Sequence, residues 1–189
     1  MLSRSDGLAS ERMMTMSCRS ITIALLAGLC LTSDGLLAQE VTKENVPGVR
    51  NFARLQTTVA CAGATSPEAL SAIKEMGFVS VINLRVATEP GAEVDKEEAA
   101  AKAAGLRYFH VPFAGKPDPA AADQFLKAIT ANGAEPAFIH CAGGNRAATM
   151  WLIKRLVVDK WDVEKAVKEA EALGQTNQEL RTWAIEYAR

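Results

Sequence analysis

"FIHCAGGNRAATMW" (Phe138–Trp151) decides how the chain is read. Phe138 and Ile139 end a short apolar strand, two glycines turn the chain, and a helical pattern begins at Arg146. His140 and Cys141 stand at the mouth of the turn, and Arg146 stands at its far lip. Four residues, Ala142, Gly143, Gly144 and Asn145, separate the cysteine from the arginine. A thiol and a guanidinium closing a glycine turn suit thiolate chemistry on an anion.

Each part has a physical reason to be there. Glycines allow the backbone to form a tight nest of N–H groups. A helix that starts at the far lip adds the positive end of its dipole. Arg146 can hold two oxygens of a phosphoryl or sulfuryl group at once. The same positive field favours the thiolate of Cys141, which is the nucleophilic form. His140 is read as a support that holds the loop through hydrogen bonds. Singly, each residue has a plain alternative: a buried small hydrophobe, a solvated arginine, a satisfied histidine. Together they favour an anion site, because an arginine at a positive helix end makes sense when an anion visits.

The flanking sequence alternates strand and helix. "QTTVACAG" (56–63) and "FVSVINL" (78–84) read as strands, as do "LRYFHVPF" (106–113) and "PAFIH" (136–140). Between them, Ser66-Pro67-Glu68 opens a helix that Gly77 closes, and "DKEEAAAKAAG" makes a second. Asp118 and Pro119 open a third, ending at Gly133. A helix from Arg146 to about Val158 follows, then "DVEKAVKEAEALG" and "TNQELRTWAIEYA", where Thr176 and Glu179 have capping-box spacing. The expected fold class is α/β, with a mainly parallel central sheet of about four to five strands flanked by helices. In such sheets ligands bind beyond the carboxyl ends of the strands, where Cys141 sits.

Composition agrees with a single globular domain. The 189 residues are 49% hydrophobic and 23% charged, with net charge -1. That balance gives no footprint for nucleic acid. Two histidines and four scattered cysteines offer no zinc pattern, and neither metal nor cofactor is expected. "ITIALLAGLCL" (21–31) is too short to span a bilayer and, with "SDGLLAQE" behind it, reads as a secretory signal. Residues 1–38 are therefore expected to be a signal peptide, its start at Met13, Met14 or Met16. Residues 39–189 then form one secreted or periplasmic domain with no stable membrane span and only Cys61 and Cys141 as thiols.

"HCAGGNRAATMW", "NFARL", "VSVINLR" followed by Glu89, and "AGLRYFHVPF" together resemble a known group. They are similar to bacterial members of the protein tyrosine and dual-specificity phosphatases, whose loop His-Cys-x5-Arg is here shortened by one residue. Some of these relatives are fused to NAD-kinase-like or β-lactamase-like hydrolase domains. The resemblance covers about residues 46–173. It implies a cysteine-phosphatase-like fold and hydrolysis of a phosphomonoester, with a phosphorylated small molecule or phosphoprotein as partner. Cys141 would be the nucleophile that becomes phosphocysteine. Ala142, Gly143, Gly144 and Asn145 would offer N–H groups to the phosphate, and Arg146 would clamp it.

Three departures from the pattern stand out. The loop is short, Ala147 replaces the Ser or Thr that often follows the arginine, and the general acid is not obvious. Asp118 is the candidate acid, although an aspartate before a proline at a helix start is also an N-cap. The resemblance further implies that the strand ending at Cys61 lies beside the one bearing Cys141, which makes Cys61 a candidate redox partner. Two other functions fit the loop: a non-catalytic phosphate- or anion-binding module, and a rhodanese-like sulfurtransferase, whose loops resemble Cys-x4-Arg in length.

Overall fold

Three parallel strands end level with one another, and the cysteine loop leaves from the middle one. The computed structural model describes residues 40–189, residue 57 excepted. The expected signal segment lies outside the described residues. The described residues cluster as one compact unit. Among the described residues no helix is long and apolar enough to cross a membrane.

The strands are β1 (Val41–Lys43), β2 (Ala53–Leu55), β3 (Val59–Ala62), β4 (Ser80–Asn83), β5 (Arg107–His110) and β6 (Ala137–His140). The helices are α1 (Leu70–Glu75), entered through a 3-10 turn at Pro67–Ala69, α2 (Val94–Ala103), α3 (Pro119–Ile129), α4 (Asn145–Val157), α5 (Val163–Ala172) and α6 (Gln178–Tyr187). The sheet order is β1-β2-β3-β6-β4-β5. β3, β6, β4 and β5 run parallel, as the strand–helix alternation predicts, and β1 and β2 add an antiparallel edge. That edge is what exceeds the expected four to five strands. At three residues each, β1 and β2 are too short to show a period of two in sequence.

Ala62, His140 and Asn83 stand in register across β3, β6 and β4. β6 is fully buried. Its alternation sends side chains to opposite faces of the sheet. Phe138 joins Ala60, Ala62, Phe78 and Val81 in one core, beneath α1 and α2. Ile139 and Cys141 join Cys61, Ile82 and the apolar side of α3–α6 in the other. Adjacent residues of the motif thus face different layers: Cys141 looks toward α4, and His140 looks toward α2.

α4 is the helix that carries the loop, and residues 147–156 are all buried. A helix covered all round needs its polar groups paired. Trp151 donates its indole N–H to Glu169 at 2.7 Å, and Arg155 Nε meets the same carboxylate at 2.6 Å. Lys154 and Arg155 both bind Asp159, at 3.0 and 2.8 Å.

The start of α6 differs from its expected capping box. Asn177 is the N-cap, its side chain accepting from Leu180 N at 2.9 Å. Thr176 instead gives its N–H to Asn145 Oδ1 at 2.7 Å. A long-range partner in the cysteine loop has taken the residue that local spacing assigned to the cap.

Candidate active site

Cys141 is 1% exposed, at the point where β6 becomes the loop. Its amide N–H donates to Ala62 O at 3.1 Å, and Leu84 N donates to His140 O at 3.0 Å. Both neighbouring strands therefore fix the thiol's position. Beyond it, Ala142 O accepts from Ala64 N at 3.0 Å, and Gly143 O accepts from Asn51 Nδ2 at 3.1 Å. These bonds tie the loop's carbonyls to the segment after β3 and the loop before β2. Gly144 turns the chain into α4 at φ 103°, ψ -29°, in the left-handed region that favours glycine. Its N–H donates to Cys141 Sγ at 3.1 Å. One backbone donor of the loop therefore points at the sulfur.

Arg146 lies in the first turn of α4 and is held from three directions. Nη1 donates to Glu89 Oε1 at 2.8 Å, to Leu84 O at 3.0 Å and to Phe113 O, and Nη2 donates to Glu89 Oε2 at 2.9 Å. The guanidinium carbon lies 5.7 Å from the Phe113 ring centroid, within cation–π range. Of five N–H donors on an arginine, Nε–H and one Nη2–H are left untaken by Glu89 and the two carbonyls, on the side where the Cys141 sulfur interacts with the guanidinium. Two donors on one edge of a planar guanidinium are what a bidentate oxyanion contact requires.

The charges are tuned in the direction such a clamp needs. Burial works against ionisation of Glu89, but hydrogen bonds from Arg146, Val86 N–H and Arg85 outweigh it and hold its carboxyl down at about 2. Burial also works against the charge on Arg146, and Glu89 and the Cys141 sulfur outweigh it, so the guanidinium keeps its proton more firmly than usual. Arg85 sets the loop that carries Glu89. It is buried, and it donates to Gly91 O at 2.8 Å and Pro90 O at 2.6 Å. The "VINLR…E" block thus builds the socket for Arg146.

His140 is fully buried on the opposite face. Nε2 sits 2.6 Å from Glu97 Oε1, and Nδ1 has no partner among the described residues. Asn83 extends the network, donating to Glu97 Oε2 at 3.1 Å and Tyr108 OH at 2.9 Å while accepting Arg85 N at 2.8 Å. Sequence reasoning missed Glu97, because "DKEEAAAK" looks like a solvated face. The available signal was its four-residue spacing from buried Ala101.

Asp118 is exposed and caps α3, accepting from Ala121 N at 2.7 Å. Residues 114–116 of the same loop line a cavity with Arg146, whereas Asp118 is not among its lining residues. Asn145, expected among the phosphate-binding residues, uses its side chain elsewhere: Oδ1 accepts from Thr176 N at 2.7 Å and Asn177 N at 2.9 Å. Cys61 and Cys141 are both free thiols, facing the same core. Burial, then the neighbouring Cys141 and Glu169, push the Cys61 thiol well up. Among the described residues no cluster of His, Cys, Asp or Glu could hold a metal.

Comparison with known proteins matches this architecture. A DUF442 protein from Shewanella putrefaciens CN-32 superposes with TM-score 0.62 at 20% identity, covering 74% of this chain and 90% of that one. TpbA from P. aeruginosa, solved as a Cys-to-Ser variant in complex with pTyr, gives 0.59 at 19% identity, over 80% and 89%. The core catalytic domain of the PP-IP phosphatase SIW14 from S. cerevisiae, in complex with citrate, gives 0.60 at 17%, over 76% and 88%. At such identities the likeness establishes the cysteine-phosphatase-like fold. In sequence, a beta-lactamase hydrolase-like protein of Agrobacterium fabrum is 32% identical over 105 residues, which is 53% of this chain and 24% of that relative. The family profile described as "Beta-lactamase hydrolase-like protein, phosphatase-like domain" matches residues 51–157, from the loop before β2 to the end of α4, and the chain belongs to that family.

Proposed function

We propose that the chain is a cysteine-dependent phosphatase that hydrolyses a phosphomonoester on a small molecule or a protein. Cys141 attacks phosphorus as the thiolate; the P–O bond to the leaving group breaks as the S–P bond forms. Water then cleaves the phosphocysteine, releasing phosphate and restoring the thiol. Arg146 and the loop N–H groups carry the charge that builds on the phosphoryl oxygens. The observation behind this reading is the divided guanidinium: Glu89 and two carbonyls occupy one part of Arg146, leaving Nε–H and an Nη2–H for an anion beside Cys141. The test is p-nitrophenyl phosphate turnover by the reduced protein. Activity that disappears in Cys141→Ser supports the mechanism; turnover that survives in Cys141→Ser refutes it. Oxyanion binding without turnover would leave the binding-module reading.

The four-residue loop favours a second reading, sulfur transfer through a Cys141 persulfide. Thiocyanate release from thiosulfate and cyanide, without phosphate ester cleavage, would establish it in place of the first.

Two further expectations belong to the same proposal. Residues 1–38 direct the chain out of the cytosol, so N-terminal sequencing of the mature protein would begin near Gln39. In that oxidising setting Cys61 captures an oxidised Cys141.

A further inference from the structure

A phosphatase of this type must protonate its leaving oxygen, and Asp118 uses Oδ1 to cap α3 and does not line the cavity on Arg146. A cavity of about 380 Å³ opens on Arg146, bounded by the loop after β5 through Lys116 and by the start of α6 through Asn177 and Glu179. Glu89 and Glu179 are the carboxylates that line it. Glu89 accepts from Arg146, Val86 and Arg85 and stays ionised down to about 2, so it has no proton to give. Glu179 lies on the first turn of α6, and its exposed side chain holds no hydrogen bond or ion pair among the described residues.

The position of Glu179 is set by the catalytic loop itself. Asn145, the residue before Arg146, accepts from both Thr176 N and Asn177 N, and its Nδ2 donates to Thr176 Oγ1 at 3.1 Å. The start of α6 is thereby pinned to the start of α4. A general acid needs such a fixed place on the leaving-group side of the phosphate.

Resting on the phosphatase reading, we infer that Glu179 is the general acid. It gives its proton to the leaving oxygen as the P–O bond breaks. As the carboxylate, it then takes a proton from the water that attacks phosphocysteine. Lys116 lines the same cavity.

Leaving groups of different basicity test the assignment in the full chain. Phenyl phosphate needs a proton at its leaving oxygen, and dinitrophenyl phosphate does not. Glu179→Gln is expected to lower kcat for phenyl phosphate by ~10²-fold while changing dinitrophenyl phosphate little. Glu179→Asp is expected to recover part of the loss. Equal effects on the two substrates, or none, would overturn the assignment, and a loss confined to phenyl phosphate in Asp118→Asn would return the role to Asp118. Failure of the wild-type protein to release either phenol would instead defeat the phosphatase reading, and this inference with it.

Discussion

Glu89 grips Arg146 with both carboxylate oxygens, at 2.8 Å to Nη1 and 2.9 Å to Nη2, across the space between the β4 loop and the start of α4. The pair joins two residues that are 57 apart in the chain. It also decides which edge of the guanidinium is left for a ligand.

Removing the charge on Glu89 should therefore misplace Arg146 without removing it. Hydrogen bonds to charged groups contribute about 1.5–3 kcal/mol. Glu89→Gln is expected to lower kcat/KM for p-nitrophenyl phosphate roughly 10- to 100-fold. The pair also has a pH signature. The folded-state pKa of Glu89 is depressed from 4.5 to about 2, so its stabilisation is complete above 4.5 and is lost as pH falls through about 2. Urea titrations from neutral pH into that window should show a steeper acid loss in wild type than in Glu89→Gln. Parallel curves would mean that the pair does not contribute to stability.

Gly144 and Gly63 are both required near Cys141, for different reasons. A Cβ on Gly144 has free space, its nearest neighbour being 3.8 Å away, but φ of 103° strains any other residue. The cost of such a conformation is about 1–3 kcal/mol. At Gly63 the backbone is ordinary, but a Cβ would lie 3.1 Å from Ala142 O and 3.2 Å from Arg50. Gly143 has neither restriction. Thermal unfolding should rank Gly144→Ala and Gly63→Ala well below Gly143→Ala, which should stay near wild type in stability.

The buried Glu97–His140 contact is expected to behave as a unit. Glu97→Ala leaves His140 Nε2 and one Asn83 donor unpaired in a dry site, and each orphaned group costs about 1–3 kcal/mol. Replacing both partners with apolar residues, as in Glu97→Leu with His140→Phe, removes the polar groups together. The double variant should lose less stability in urea than the sum of its single variants. Additive losses would show that the two side chains act independently.

These variants mark where the sequence was informative. Cys141, Arg146 and the strand–loop–helix around them were legible because glycine spacing and strand alternation are local signals. The parallel sheet followed from the alternation of strands and helices. The socket was less legible. Glu89 stood out in a motif, but nothing local assigned it to Arg146, and Glu97 was hidden within a run of charges. Asn145 was read as a backbone donor, whereas its side chain anchors α6, 31 residues away. Partners so far apart in sequence leave no periodic trace. Asp118 shows the opposite case: its local N-cap signal was correct, and Oδ1 accepts from Ala121 N.

Cys61 carries the last prediction. In β3 it pairs with Ile139 of β6, and Cys141 lies two residues beyond Ile139, so both thiols belong to one face of the sheet. Cys61 is fully buried and its thiol is pushed well up, so it is protonated at neutral pH and a poor attacker. Oxidation must then begin at Cys141. Peroxide converts Cys141 to a sulfenic acid, whose S–O bond breaks as Cys61 forms the disulfide, with water leaving. Closure should be slow, because the attacking thiol is scarcely ionised. Protein kept under mild oxidant should lose both thiols and its activity, and dithiothreitol should restore both. In Cys61→Ala the sulfenic acid has no internal partner, so continued peroxide should carry Cys141 to the sulfinic state and make the loss permanent. Equal recovery of Cys61→Ala and wild type after the same exposure would remove Cys61 from this role.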